Sequence, residues 1–183
     1  LSAGVRILSR QLRQPGVLDQ AEVWANALEQ LPAAFVRERI EAHGVLNGYY
    51  RADDIDAGIL KHSTKIIDLG RRLTPEQRTP VARTIVSAYV NAAEAYAGQE
   101  QTPKALDLLR TALSDLHGVE GIEAQVRPTL ERYELVGRPA ATVEAPQWLH
   151  ATPANGRMDM PGHVTLLEFT AHWCGPCREE MPM

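Results

Sequence analysis

The chain has 183 residues, 44% of them hydrophobic and 23% charged, with 19 Lys and Arg against 23 Asp and Glu for a net charge of −4. That balance suits a folding soluble chain and excludes the apolar-poor composition of a disordered one, while the scattered basic residues form no run that could follow a phosphate backbone, so nucleic acid is not expected as a partner. No window approaches the roughly 18 consecutive apolar residues that span a bilayer, the stretch from Leu1 to Arg13 is too charged for a signal-peptide core, and two cysteines are too few for a disulfide-dense scaffold.

From about residue 18 to residue 137 the punctuation is that of consecutive amphipathic helices joined by short turns. Asp19 followed by Glu22 resembles a capping box, and Val23, Trp24, Leu28 and Leu31 form an apolar stripe that Pro32 interrupts. A second stripe, Phe35, Val36, Ile40, Val45 and Tyr49, runs to the turn Arg51-Ala52-Asp53-Asp54, and Ile55, Ile59, Ile66 and Leu73 mark the next helix. Thr74, Pro75 and Gln77 then give the clearest start signal in the chain: a hydroxyl that caps, a proline suited to the first helical position, and an amide that completes the box. One helix is expected from there through Val81, Ile85, Tyr89, Ala92 and Tyr96 to Gly98, a left-handed stop. Thr102-Pro103 repeats the start signal for Leu106, Leu109, Leu113 and Leu116, and a last helix through Ile122, Val126, Leu130 and Tyr133 contains Pro128, where a kink or break is expected.

The stretch 88–113, "AYVNAAEAYAGQEQTPKALDLLRTAL", resembles a tetratricopeptide repeat, with small Ala93 and Ala105 where helices would touch. The earlier hairpin, 53–73, matches only in its helical period, so a repeat superhelix and an irregular helical bundle both stay open. His43, His62 and His117 have no carboxylate or cysteine at ligand spacing and read as core or surface histidines.

After Gly137 the composition turns to "RPAATVEAPQWLHATPANGRMDMPG", a connector (138–162) leading into a new domain. Ala145 to Leu149 is a candidate strand, and Asn155-Gly156 a hairpin-type turn. His163 to Ala171, "HVTLLEFTA", reads as a strand that feeds the loop and helix opening of "HWCGPCREEMP". A helix start offers unpaired amides and the positive end of the macrodipole, which shifts a thiol there toward thiolate; Cys174 would occupy that place. Gly175 and Pro176 let the chain turn so that Cys177 comes within disulfide reach, with Trp173 shielding one side. A metal reading through His172, Cys174 and Cys177 lacks a fourth ligand at finger spacing, and two inert buried cysteines would leave Gly-Pro and Trp unexplained.

The constellation of Ala145-Pro146, a hydrophobic strand ending at Phe169, Trp173-Cys174-Gly175-Pro176-Cys177-Arg178, and Glu180, Met181 and Pro182 resembles the thioredoxin superfamily, in particular its TlpA-like thiol-disulfide oxidoreductases. The resemblance implies that Cys174 attacks and Cys177 resolves, in a reductase acting on protein disulfide clients and needing no cofactor or metal. It also implies that Glu168, six residues before Cys174, is a buried acid able to accept the Cys177 proton; the alternative is an edge-strand carboxylate facing water. The expected class is therefore mainly α: a helical-hairpin domain at 1–137, tetratricopeptide-like in part, followed by the incomplete beginning of an α/β thioredoxin-like domain at 163–183. A chain ending at Met183 is expected to be an inactive fragment of a longer enzyme, and one beginning at Leu1 to have lost a leader, which with the resemblance suggests a periplasmic or otherwise extracytoplasmic compartment, the cytoplasm being the alternative. The unpaired strand "TLLEF" is expected to make an intermolecular contact, such as a dimer. The competing functional reading is a helical repeat-type scaffold with a protein partner on the helical domain and an accessory redox domain.

Overall fold

A computed structural model of the chain describes residues 17–30, 32–119, 121–141, 143–144, 147, 157–158, 162, 171, 173–175 and 177. The chain divides into two compact units, Leu1–Arg138 and Pro139–Met183.

The described part of the first unit is helical. Helix α1 spans Val17–Leu28; after a 3-10 turn at Ala33–Phe35 come α2 (Val36–Ala52), α3 (Asp56–Arg71), the short α4 (Pro75–Arg78), a second 3-10 turn (Thr79–Val81), α5 (Ala82–Gly98), α6 (Thr102–Asp115) and α7 (Ile122–Glu134). Helix α2 packs on α3, α3 on α5, α5 on α6 and α6 on α7, while α5 also touches α2 and α7. Helices α2, α5 and α7 thus form one layer, backed by α3 and α6. The turns of the two successive hairpins are alike: each places an acidic residue in left-handed backbone, Asp54 at φ 55° and Glu100 at φ 60°.

Apolar residues at helical spacing build the core. Ile40, Ile66, Ile85, Tyr89, Leu109, Leu116 and Val126 are each at most 2% exposed, and burial of a side chain of that size contributes roughly 1.5–3 kcal/mol. Ala93 and Ala105 are fully buried, so small side chains do stand in the buried contact between α5 and α6. Gly70 lets α3 approach α5: a Cβ there would lie 2.8 Å from Ile85 Cδ1.

Several expectations need correction. In α1 the buried residues are Ala21 and Ala25, whereas Val23 and Trp24 are 65% and 55% exposed; the alanines allow α1 to lie close to Leu46, Val45, Tyr49 and Tyr50. Asp19 stands in the first turn of a helix already begun at Val17, so it does not cap it, and Glu22 bonds to α2 and α3 side chains in place of a capping-box amide. The capping box at Thr74 and Gln77 forms as expected, yet the helix it starts ends after one turn. Pro80, which has no amide hydrogen, falls in the 3-10 turn that follows, and α5 begins only at Ala82. Glu100, two residues beyond Gly98, takes the left-handed position, and α6 is preceded by Gln101 with no side-chain cap from Thr102. Helix α7 continues through Pro128 without a break.

In the second unit, β1 (Val143–Glu144) pairs antiparallel with β2 (Arg157–Met158), Val143 opposite Met158 and Glu144 opposite Arg157. The expected strand at 145–149, apart from Gln147, and the expected turn at Asn155-Gly156 lie outside the described residues. Of the expected strand His163 to Ala171 only Ala171 is described, outside any strand; the rest of it and its intermolecular contact lie outside the described residues.

Candidate functional site

In the second unit, Gly175 and Cys177 have helical backbone, so Cys174 stands immediately before it, with its amide donating to the Ala171 carbonyl at 3.0 Å. Cys174 and Cys177 form a disulfide, S–S 1.99 Å with Cα atoms 5.4 Å apart. Both are half-buried. Trp173, expected to shield one side of the pair, is 78% exposed. Glu168 and Pro176, the other two expected site residues, lie outside the described residues, as does His172. Chemically, a disulfide between residues three apart is a two-electron store that an external thiolate can open.

The first unit contains polar chemistry that helical periodicity did not announce. His43 on α2 and His62 on α3 point their Nδ1 atoms at each other, 2.9 Å apart. Their outer nitrogens each reach a carboxylate: His43 Nε2 lies 3.2 Å from Glu29 Oε1, and His62 Nε2 lies 2.8 Å from Glu22 Oε1. Both histidines are buried, at 2% and 0% exposure. Tyr50 stacks on the His62 ring and donates to Glu22 at 2.7 Å, while Lys61 and Lys65 pair with Glu22 and Glu29.

The electrostatics follow from this geometry. Burial lowers the pKa of both histidines, outweighing the pull of the carboxylates. Burial alone would raise Glu22, but hydrogen bonds from Lys61, Tyr50 and His62 together overcome it and hold the carboxyl at about 2. Glu29 is lowered in the same way by His43 and Lys65 against its own desolvation. Tyr50 is pushed up to about 12, by burial first and then by its bond to Glu22. These partners escaped the sequence reading because they are 14 and 40 residues apart. One signal was available: His43 follows Ile40 by three residues and His62 follows Ile59 by three, so each interrupts an apolar stripe where a polar group must find a bond.

On the α2–α5–α7 layer lies a groove of about 890 Å³ bordered by Arg37, Arg51 and Arg83, with Asn47 and Asn91 among its lining residues. Asn91 donates to Asn47 Oδ1 at 2.5 Å, and Asn47 donates to Ser63 Oγ at 2.7 Å and to the Ile59 carbonyl at 3.0 Å. Arg37 pairs with Glu41, and Arg51 with Glu94; Arg83 has no ion-pair partner among the described residues. The groove is thus basic on a chain whose net charge is −4. Among the described residues no group of three or more His, Cys, Asp or Glu is placed to hold a metal ion, and no helix is long and apolar enough to cross a membrane.

Comparison with family models, with curated proteins and with solved structures finds no match to this chain.

Proposed function

We propose that the chain carries the redox centre of a thioredoxin-like thiol-disulfide oxidoreductase acting as a protein-disulfide reductase. The observation that carries the reading is the bonded pair Cys174–Cys177 immediately before and within helical backbone, in the sequence setting Trp-Cys-Gly-Pro-Cys-Arg. In the reduced pair, the Cys174 thiolate attacks one sulfur of a client disulfide. A mixed disulfide forms and the other client sulfur leaves as a thiolate, which takes a proton. The Cys177 thiol then gives up its proton, to Glu168 in this reading, and attacks Cys174 Sγ. The second client sulfur is expelled as a thiolate and takes up the proton left by Cys177, while the first takes its proton from water, so the client leaves as a dithiol having gained two electrons and two protons and the protein pair is oxidised. Trp173, exposed beside Cys174, offers an apolar face to the client chain.

Single-turnover capture tests this without requiring repeated catalysis. The reduced Cys177→Ser chain, mixed with a disulfide-bonded peptide, should accumulate a dithiothreitol-sensitive adduct through Cys174, and the Cys174→Ser chain should not. Equal adducts from both variants, or from neither, would overturn the assignment of attacking and resolving sulfurs.

A second reading rests on the basic groove. In it the helical unit is a protein-interaction scaffold that holds an acidic segment of a partner or client, with Arg83, which has no ion-pair partner among the described residues, as the contributing charge. Arg83→Glu should abolish binding of an acidic peptide if this reading holds, while leaving the adduct of the first test unchanged.

A further inference from the structure

The row Glu29–His43–His62–Glu22, with its histidines buried and its glutamates partly exposed, is absent from both readings above, and its hydrogen count is restrictive. Its three junctions, at 3.2, 2.9 and 2.8 Å, each have room for one hydrogen. The two outer junctions want an N–H on each Nε2 facing its carboxylate. The central junction accepts one hydrogen between the two Nδ1 atoms, donated by one ring to the lone pair of the other. The two rings can therefore hold at most three ring protons, one imidazolium and one neutral imidazole. A fourth would set two N–H groups head to head across 2.9 Å.

This limit lasts only while helix α1 stays in place. Glu22 belongs to α1 and Glu29 follows its last residue, whereas His43 and His62 belong to α2 and α3. Among the described residues, the other contacts of α1 with α2 are Leu18, Ala21 and Ala25 against Leu46 and its neighbours and the Arg39 bond to the Leu28 carbonyl. With α1 lifted away, the rings lose both outer acceptors and their cover, and each can turn to water and take its second proton. We infer that the histidine pair and its two glutamates form an acid-released latch that docks helix α1 on α2 and α3 near neutral pH and frees it on acidification.

The groups facing the row pull in both directions: the Glu22 and Glu29 carboxylates favour protonated rings, whereas burial and the nearby lysines oppose protonation and prevail. From the α1 segment come Glu22 and Glu29, with Asp19 toward Tyr50. From α2 come His43 and Tyr50, with Tyr49 edge-on to Tyr50 and Arg39 donating to the Leu28 carbonyl. From α3 come His62, Lys61 and Lys65. Lys65 beside His43 and Lys61 beside His62 oppose a further positive charge on the rings. Burial lowers both histidines below their ordinary 6.5, and both glutamates lie below 4.5. The sign is consistent: docking is favoured above the ordinary histidine pKa and lost as pH falls below it, because the undocked form binds more protons. Each excluded proton shifts the docking equilibrium about tenfold per pH unit below that point.

Amide hydrogen exchange on the whole chain, corrected for intrinsic rate, tests the latch. Between roughly pH 6.5 and 4.5, above the range in which the glutamates titrate, the protection of residues 17–28 should fall by about tenfold per pH unit. Protection across α5 should change far less. The His43→Gln/His62→Gln chain should lose the pH dependence of α1 in that window. Parallel loss of protection in α1 and α5, no loss in α1, or an unchanged slope in the double variant would each overturn the proposal. Should the double variant fail to fold, ring nitrogen NMR of the unaltered chain at pH 5 decides. An unprotonated Nδ1 wherever α1 remains protected supports the latch; four protonated ring nitrogens with α1 still protected refute it.

Discussion

Gly58 in α3 is where a single methyl group should do the most harm. A Cβ at this position would lie 2.2 Å from both Cγ and Cδ1 of Tyr50, against an ordinary carbon contact of about 3.5–4.0 Å. The tyrosine ring must therefore move by about an ångström or more. It is poorly placed to do so: its hydroxyl donates to Glu22 at 2.7 Å, its face stacks on His62 with centroids 5.5 Å apart, and its neighbour Tyr49 meets it edge-on. Overpacking of this kind costs about 1–3 kcal/mol, and loss of a hydrogen bond to a charged group adds about 1.5–3 kcal/mol. Replacing a helical glycine by alanine returns only about 1 kcal/mol. Gly58→Ala should consequently destabilise the chain by about 1.5–5 kcal/mol. Gly48→Ala in α2, where a Cβ meets nothing within 4 Å, should instead stabilise it by about 0.5–1 kcal/mol. Urea unfolding at 25 °C and neutral pH, followed by circular dichroism at 222 nm, measures both. A Gly58→Ala chain as stable as its parent would refute the claim that Tyr50 is fixed from three sides.

Other outcomes follow from the same geometry. Leu109→Ala, at a fully buried position on α6, should cost about 2–5 kcal/mol in the same assay, and a cost below about 1 kcal/mol would mean that the α5–α6 contact is not part of the core. Acid should destabilise the helical unit further below the histidine range. The Glu22 carboxyl is held at about 2 and those of Glu29 and Asp115 are also lowered, so the stability they contribute is present above about pH 4.5 and lost as pH falls toward 2. Glu22 alone accounts for at most about 3 kcal/mol of that loss. Glu22→Gln should flatten the low-pH limb of a stability-versus-pH curve, and an unchanged limb would contradict the assignment.

Much of the helical unit was legible in the sequence because its signals are local. Thr74, Pro75 and Gln77 carry a whole capping box within four residues, and the Leu106–Leu109–Leu113–Leu116 stripe marks the face of α6 that enters the core. Non-local effects were harder to read. Periodicity could not choose between the Val23-Trp24 face of α1 and its Ala21-Ala25 face, because what decides is how closely α1 must approach α2. Pro80 was missed as a breaker because apolar spacing continued across it from Val81. The histidine row and the arginine groove are assembled from separate helices, so only their unusual placement, a histidine within each apolar stripe, was visible in one dimension. At the cysteine motif the reverse holds: the cysteine spacing was plain in the sequence and the two sulfurs are bonded, whereas Glu168 was placed by resemblance alone.

The central claim is that Cys174 is an activated nucleophile, and the pH dependence of its alkylation tests this most directly. With the reduced Cys177→Ser chain and iodoacetamide, the rate at Cys174 should reach half its maximum well below pH 8.5, the ordinary cysteine value, as expected for a thiol at the opening of a helical turn. A midpoint at or above about 8.5 would mean an ordinary thiol and contradict the proposed redox role.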